Sequence, residues 1–113
     1  MSRRVKQYSA ATGTVYEYQV AGQEPFAWTF QVSANRGAAI PVVVCLEQAQ
    51  KDFCEHQMGS ALRWNDEYAL AKLALFDAFD RVESPAEFAR PVCPSHGELI
   101  GYMKTLRMVN DDE

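Results

Sequence analysis

The chain has 113 residues and no apolar run approaching the ~18 needed to span a membrane, which argues against a membrane partner. Cysteine is sparse, with only Cys45, Cys54 and Cys93. An odd number of thiols without a secretory signal pattern fits free cysteines and a cytoplasmic location better than a disulfide framework. Ser2-Arg3-Arg4 lacks the apolar stretch that a twin-arginine signal requires, because Val5 to Gly13 is polar. Ser2 also stands where N-myristoylation needs glycine. Positive charge is scarce: 11 Lys and Arg face 15 Asp and Glu, a net charge of −4. Phosphate contacts supply most nucleic-acid affinity, so this balance argues against nucleic acid as a partner. The charge is uneven, however, at +2 over residues 1–36 and −6 over the rest. No phosphate-binding loop is present, since Thr12-Gly-Thr14 falls far short of G-x-x-x-x-G-K-[ST]. No repeat, low-complexity tract or linker divides the chain. The expected organisation is a flexible basic arm over 1–12, a single domain over 13–109 and a frayed acidic tail over 110–113.

What the chain does have is apolar residues, 48% of the total, in two distinct periodicities. Thr14 to Val20 alternates, with Tyr16, Tyr18 and Val20 on one face. Ala21 to Pro25 is a turn cluster, after which Phe26, Trp28, Phe30 and Val32 share one face of a second strand. Asn35-Arg36-Gly37 suits a second hairpin, and Ile40, Val42, Val44 and Leu46 define a third strand. Pro41 lacks a backbone donor, which places that strand at an edge.

From Glu47 the period lengthens to three or four. Leu46, Ala49, Phe53 and Met58 form a helical stripe that Gly59 stops. A second helix over Asp66 to about Val82, capped by Asn65, buries Tyr68, Ala71, Leu75 and Phe79. Ser84-Pro-Ala-Glu87 is a capping box ahead of a turn or two ended by Pro91. Ser95-His-Gly-Glu98 is another, opening a last helix with Leu99, Ile100, Met103 and Leu106. The fold predicted is an α+β two-layer sandwich: a three-stranded antiparallel meander, with its aromatic face as core, packed against two to four C-terminal helices.

Chemistry is harder to place. Cys54-Glu-His56 and Cys93-Pro-Ser-His96 together hold the ligand types of a structural zinc site. C-x-H is unusual spacing, however, and Cys54 falls on an apolar helix side, where a thiol packs as a small hydrophobe. Cys93 precedes the positive end of the last helix with His96 nearby, the outline of an activated thiol. No third orienting group or oxyanion hole accompanies it, and a loop cysteine between two prolines is the simpler account. The acidic pairs Asp66 with Glu67 and Asp77 with Asp80 suit a helix start and a solvated helix face. Between the first two helices, Arg63 and Trp64 are residue types enriched at interface hot spots, unless Leu62 and Trp64 fold back onto the core. The third strand offers another contact, an exposed edge at Val43 open to strand addition.

These observations favour a small binding or regulatory module acting on a protein partner or as a homo-oligomer, with no cofactor. The alternative is a thiol- or metal-dependent enzyme or accessory subunit using Cys93 and His96 with Cys54 and His56. Nucleic-acid binding through Arg3, Arg4 and Lys6 is a third and weaker reading.

Overall fold

The computed structural model describes residues 5–109. Arg3, Arg4 and the acidic tail over 110–113 lie outside them. The chain is an α+β fold of four antiparallel strands followed by helices. In chain order these are β1 Lys6–Ser9, β2 Val15–Glu24, β3 Ala27–Ala34, β4 Ile40–Cys45, α1 Gln48–Met58, α2 Trp64–Arg81, a 3-10 helix Pro85–Ala89, and α3 His96–Thr105. Strand order in the sheet equals sequence order.

The meander thus has four strands, not three. Its additional strand, β1, comes from the segment expected to be a flexible arm. Pairing of Lys6 with Tyr18 and of Tyr8 with Tyr16 fixes its register. Tyr8 explains why so short a strand holds. Its ring stacks on Phe76 at 4.3 Å, and its hydroxyl donates to Asp80 Oδ2 at 2.7 Å. The second oxygen of Asp80 accepts from the Ala11 amide at 2.8 Å. Asp80 is therefore an anchor for the N-terminal segment and not the solvated helix charge its spacing suggested. Asp77 likewise accepts from the Tyr102 hydroxyl at 2.8 Å, tying α2 to α3.

The strand β2 runs straight through the turn cluster. A register shift between Val20 and Gly22 absorbs the extra residue as a bulge, and the reversal falls on Pro25 and Phe26. Phe26 consequently leaves the aromatic face and is 50% exposed, under the ammonium of Lys51 at 5.5 Å. The other aromatics of that face are core as expected: Tyr16, Tyr18, Trp28 and Phe30 are all buried. At the next hairpin the left-handed residues are Asn35 and Arg36 rather than Gly37. Gly37 serves instead to admit the Ala34 carbonyl, which would lie 3.1 Å from an added Cβ.

A single buried cluster joins sheet and helices. Trp28, Phe30, Val42 and Val44 from the strands meet Leu70, Leu75, Phe79, Leu99 and Met103 from the helices. Tyr16 stacks on Phe79 at 4.0 Å, and Phe88 on the 3-10 helix meets both rings edge-on. The helix ends follow their caps. Gly59 adopts φ 73° and closes α1 by donating to the Glu55 carbonyl. Ser95 and Glu98 exchange hydrogen bonds at 3.1 and 2.8 Å to open α3. The second helix starts two residues earlier than expected. Asp66 accepts from the Arg63 amide at 2.9 Å, so Arg63 is the cap residue and Asn65 lies inside the helix. Among the described residues no helix is long and apolar enough to cross a membrane.

Candidate functional site

Where the first turns of α2 pass over β1 and the β2 bulge, the surface forms a groove of about 400 Å³. Lys6, Tyr18, Gly22, Trp64 and Tyr68 are among its lining residues. Helical periodicity supplies one wall. Trp64, Tyr68 and Lys72 are spaced i, i+4, i+8, so their side chains climb the same face. Trp64 stacks on Tyr68 at 5.8 Å with the planes 20° apart, and Lys72 Nζ lies 5.1 Å from the Tyr68 ring centre. Pairing with Tyr18 delivers Lys6 to the same place, with its ammonium 5.9 Å from the Tyr68 ring.

Trp64 is 57% exposed. It is also held in place, because the fully buried indole of Trp28 lies beneath it at 5.1 Å and beneath Tyr68 at 5.4 Å. An exposed aromatic fixed from below loses little entropy on binding. The Trp28 indole N–H is itself buried without a protein acceptor among the described residues.

Positive charge gathers at the groove, from Lys6 in its lining and from Lys72, which lies outside the lining but faces the Tyr68 ring. Burial and the charge of Lys6 both lower the Lys72 ammonium from its ordinary pKa. Among the described residues neither lysine is ion-paired, whereas Lys51 meets Glu67 at 3.2 Å and Arg81 meets Asp77 and Glu98. Two like charges thus face one aromatic ring on a protein that is acidic as a whole. At the neighbouring bulge Gly22 leaves open space, since an added Cβ would meet nothing within 4 Å.

The residues singled out from sequence are dispersed. Trp64 lines the groove, but as the first residue of α2 and not as part of a loop. Arg63 is exposed just before it and is not part of the lining. Val43 is on the opposite edge of the sheet, in a separate depression with Ile40, Pro41, Pro85 and Phe88. That edge is less open than expected, because Val92 donates to the Val43 carbonyl at 2.7 Å and accepts from the Cys45 amide at 2.8 Å.

The proposed zinc ligands are not gathered. Cys54 is fully buried in the core, His56 is exposed on α1, and His96 stacks on Phe53 at 4.1 Å. Among the described residues no three His, Cys, Asp or Glu side chains are grouped as a metal ion would require. Cys93 does meet another thiol, but it is that of Cys45 at 2.7 Å. Lys6, Tyr68 and Lys72 went unrecognised as a set. The i, i+4, i+8 spacing of Trp64, Tyr68 and Lys72 was the available signal, whereas nothing local ties Lys6 to α2.

Comparison with known proteins found no matching family model, no similar curated protein and no matching solved structure.

Proposed function

We propose that the protein is a small binding module that captures an acidic segment of a partner protein in the groove between α2 and the β1–β2 edge. The observation that carries this reading is Trp64, exposed to solvent yet supported by Trp28 and stacked on Tyr68, a ring that faces two lysines without ion-pair partners among the described residues. Aromatic anchors of this kind carry a large share of binding energy at protein interfaces. The lysines add charge complementarity, which favours acidic partners and speeds encounter. In this reading the helices form one layer over the inner face of the sheet, and the groove opens at the margin where that layer ends. The same grouping can receive other anions, but a net charge of −4 works against a long polyanion such as nucleic acid.

The enzyme alternative has less to support it. His96 stacks on Phe53, Cys54 is enclosed in the core, and among the described residues no three possible ligands are grouped as a metal ion would require.

The test is selection of short peptides from a library of mixed charge on the full chain, followed by affinity measurement. Acidic sequences should be enriched and should bind less tightly as salt rises. Trp64→Ala should weaken them roughly thirtyfold, the mark of a hot spot. Lys72→Glu and Gly22→Leu should do likewise, by reversing charge and by filling the groove. Enrichment of basic or neutral peptides, or tighter binding to single-stranded nucleic acid than to any peptide, would overturn the proposal.

A further inference from the structure

At the far edge of the sheet, Val44 and Val92 form a parallel bridge. Two hydrogen bonds of 2.7 and 2.8 Å, through Val43 and Cys45, fasten it. One residue beyond the bridge on each segment stand Cys45 and Cys93, so parallel pairing sets their side chains next to each other. Their sulfurs are 2.7 Å apart, with the Cys93 thiol donating to Cys45, and both are free thiols. A disulfide needs ~2.05 Å between sulfurs and Cα atoms about 4.4–6.8 Å apart. Neighbouring strands run about 4.7–4.9 Å apart, within that range, so the backbone is already arranged for the bond.

The two thiols differ in access. Cys93 is exposed and Cys45 half-buried, while Cys54 is enclosed in the core. Burial, the hydrogen bond with Cys93 and the nearby charges of Cys93 and Glu47 all push the Cys45 thiol up. The outer sulfur is therefore the one that meets a reagent first.

We propose that Cys45 and Cys93 form a reversible thiol–disulfide site whose oxidant is a small-molecule disulfide of the glutathione type. Cys93 gives its proton to solvent and its sulfur attacks the small disulfide. That S–S bond breaks, and its electron pair leaves on one small thiolate, which takes a proton from water. The mixed disulfide on Cys93 is then resolved by Cys45. Its sulfur, after losing its proton to solvent, attacks Cys93 Sγ and expels the second small thiolate, which is also protonated. Two protein thiols are oxidised and one small disulfide is reduced to two thiols, with nothing left over. The new bond closes a loop between residues 48 positions apart, containing all of α1 and α2.

The experiment equilibrates the full chain with graded mixtures of reduced and oxidised glutathione, then maps its peptides by mass spectrometry. Under oxidising conditions a Cys45–Cys93 cross-link should form within the monomer and disappear with dithiothreitol. Cys54 should remain a thiol. The melting temperature should rise by roughly 5–15 °C, because the cross-link restricts the unfolded chain. Amide exchange at Cys45 and Val92 should slow in the oxidised form. Cys45→Ser should hold one glutathione on Cys93, and Cys93→Ser should leave Cys45 unmodified. Both thiols remaining free in excess oxidised glutathione would overturn the proposal. So would a cross-link between chains, or one through Cys54. The mapping uses the unaltered protein, so the result does not depend on how a variant folds.

Discussion

Replacing Trp28 separates two roles of one side chain. Trp28 is fully buried, and its indole supports the rings of Trp64 and Tyr68. Trp28→Ala loses the transfer energy of the indole and leaves a cavity, a cost of about 3–5 kcal/mol. Such a loss is a large fraction of a typical domain's stability of about 5–15 kcal/mol. Trp28→Phe should behave differently. The smaller ring gives up about 1–2 kcal/mol of burial and packing. It also removes the indole N–H, which has no protein acceptor among the described residues and so carries a desolvation cost of about 1–3 kcal/mol. The two effects nearly cancel, and Trp28→Phe should lie within about 1 kcal/mol of the original chain. The assay is urea unfolding with an unchanged m value, followed by circular dichroism. Because the chain has only two tryptophans, Trp64 becomes the sole indole in both variants, and its emission reports the groove. It should hold its wavelength above phenylalanine and shift to the red above alanine. A Trp28→Phe variant destabilised by 3 kcal/mol or more would refute the reasoning, since the N–H would then be satisfied.

The hydrogen bond to Asp80, together with burial and the charges of Asp80 and Asp77, pushes the Tyr8 hydroxyl up to about 12. A raised folded-state value means that the contribution is complete below ~10, the ordinary tyrosine value, and is lost as pH climbs through 12. Stability should therefore fall in that alkaline window, and in Asp80→Asn the absorbance titration of Tyr8 should move back toward ~10. Phe88→Ala should cost about 3 kcal/mol by denaturant midpoint, because that ring is buried between Tyr16 and Phe79. Gly59→Ala should cost about 1 kcal/mol without altering peptide binding, since φ of 73° suits glycine at the end of α1. Val43→Lys should fold and leave capture of acidic peptides unchanged, and a loss of binding in that variant would move the contact to the β4 edge.

Local patterns made most of the framework legible. The alternation of Trp28, Phe30 and Val32 and of Val42, Val44 and Leu46 leaves one face apolar, and that face is the core. Serine with glutamate three residues on marked two helix starts, and glycine marked a stop, because each satisfies the backbone groups orphaned at a helix end. The errors lie where distant parts of the chain decide. Only four residues make β1, and what holds it is Tyr8 bonded to an aspartate 72 positions away. Glycine and proline between 21 and 25 signal a turn, yet a bulge lets the strand pass Gly22 while Pro25 and Phe26 make the reversal. The same limit applies to the groove. The Trp64 ladder is written in helical spacing, but Lys6 reaches it only through the pairing of β1 with β2.

The two sheet margins support the proposal that contact is made through the groove and not through a sheet edge. Strand addition needs a row of unpaired backbone groups. Along β4 the groups of Val42 and Val44 face β3, which leaves Pro41, Val43 and Cys45 pointing outward. Proline has no N–H to offer, and Val92 already holds the Val43 carbonyl and the Cys45 amide. Among the described residues the Val43 amide is then the remaining outward donor of that strand, too little for a ladder. At the other margin β1 is four residues long and begins with a lysine, two ordinary protections against edge pairing. What this second margin leaves open is its upper side, where Lys6 and the bulge meet the aromatic ladder of α2. A short edge that resists strand pairing while presenting a cation beside fixed rings favours recognition by side chains over recognition by backbone. That is the basis for expecting an acidic segment as the occupant, selected by charge and aromatic contact.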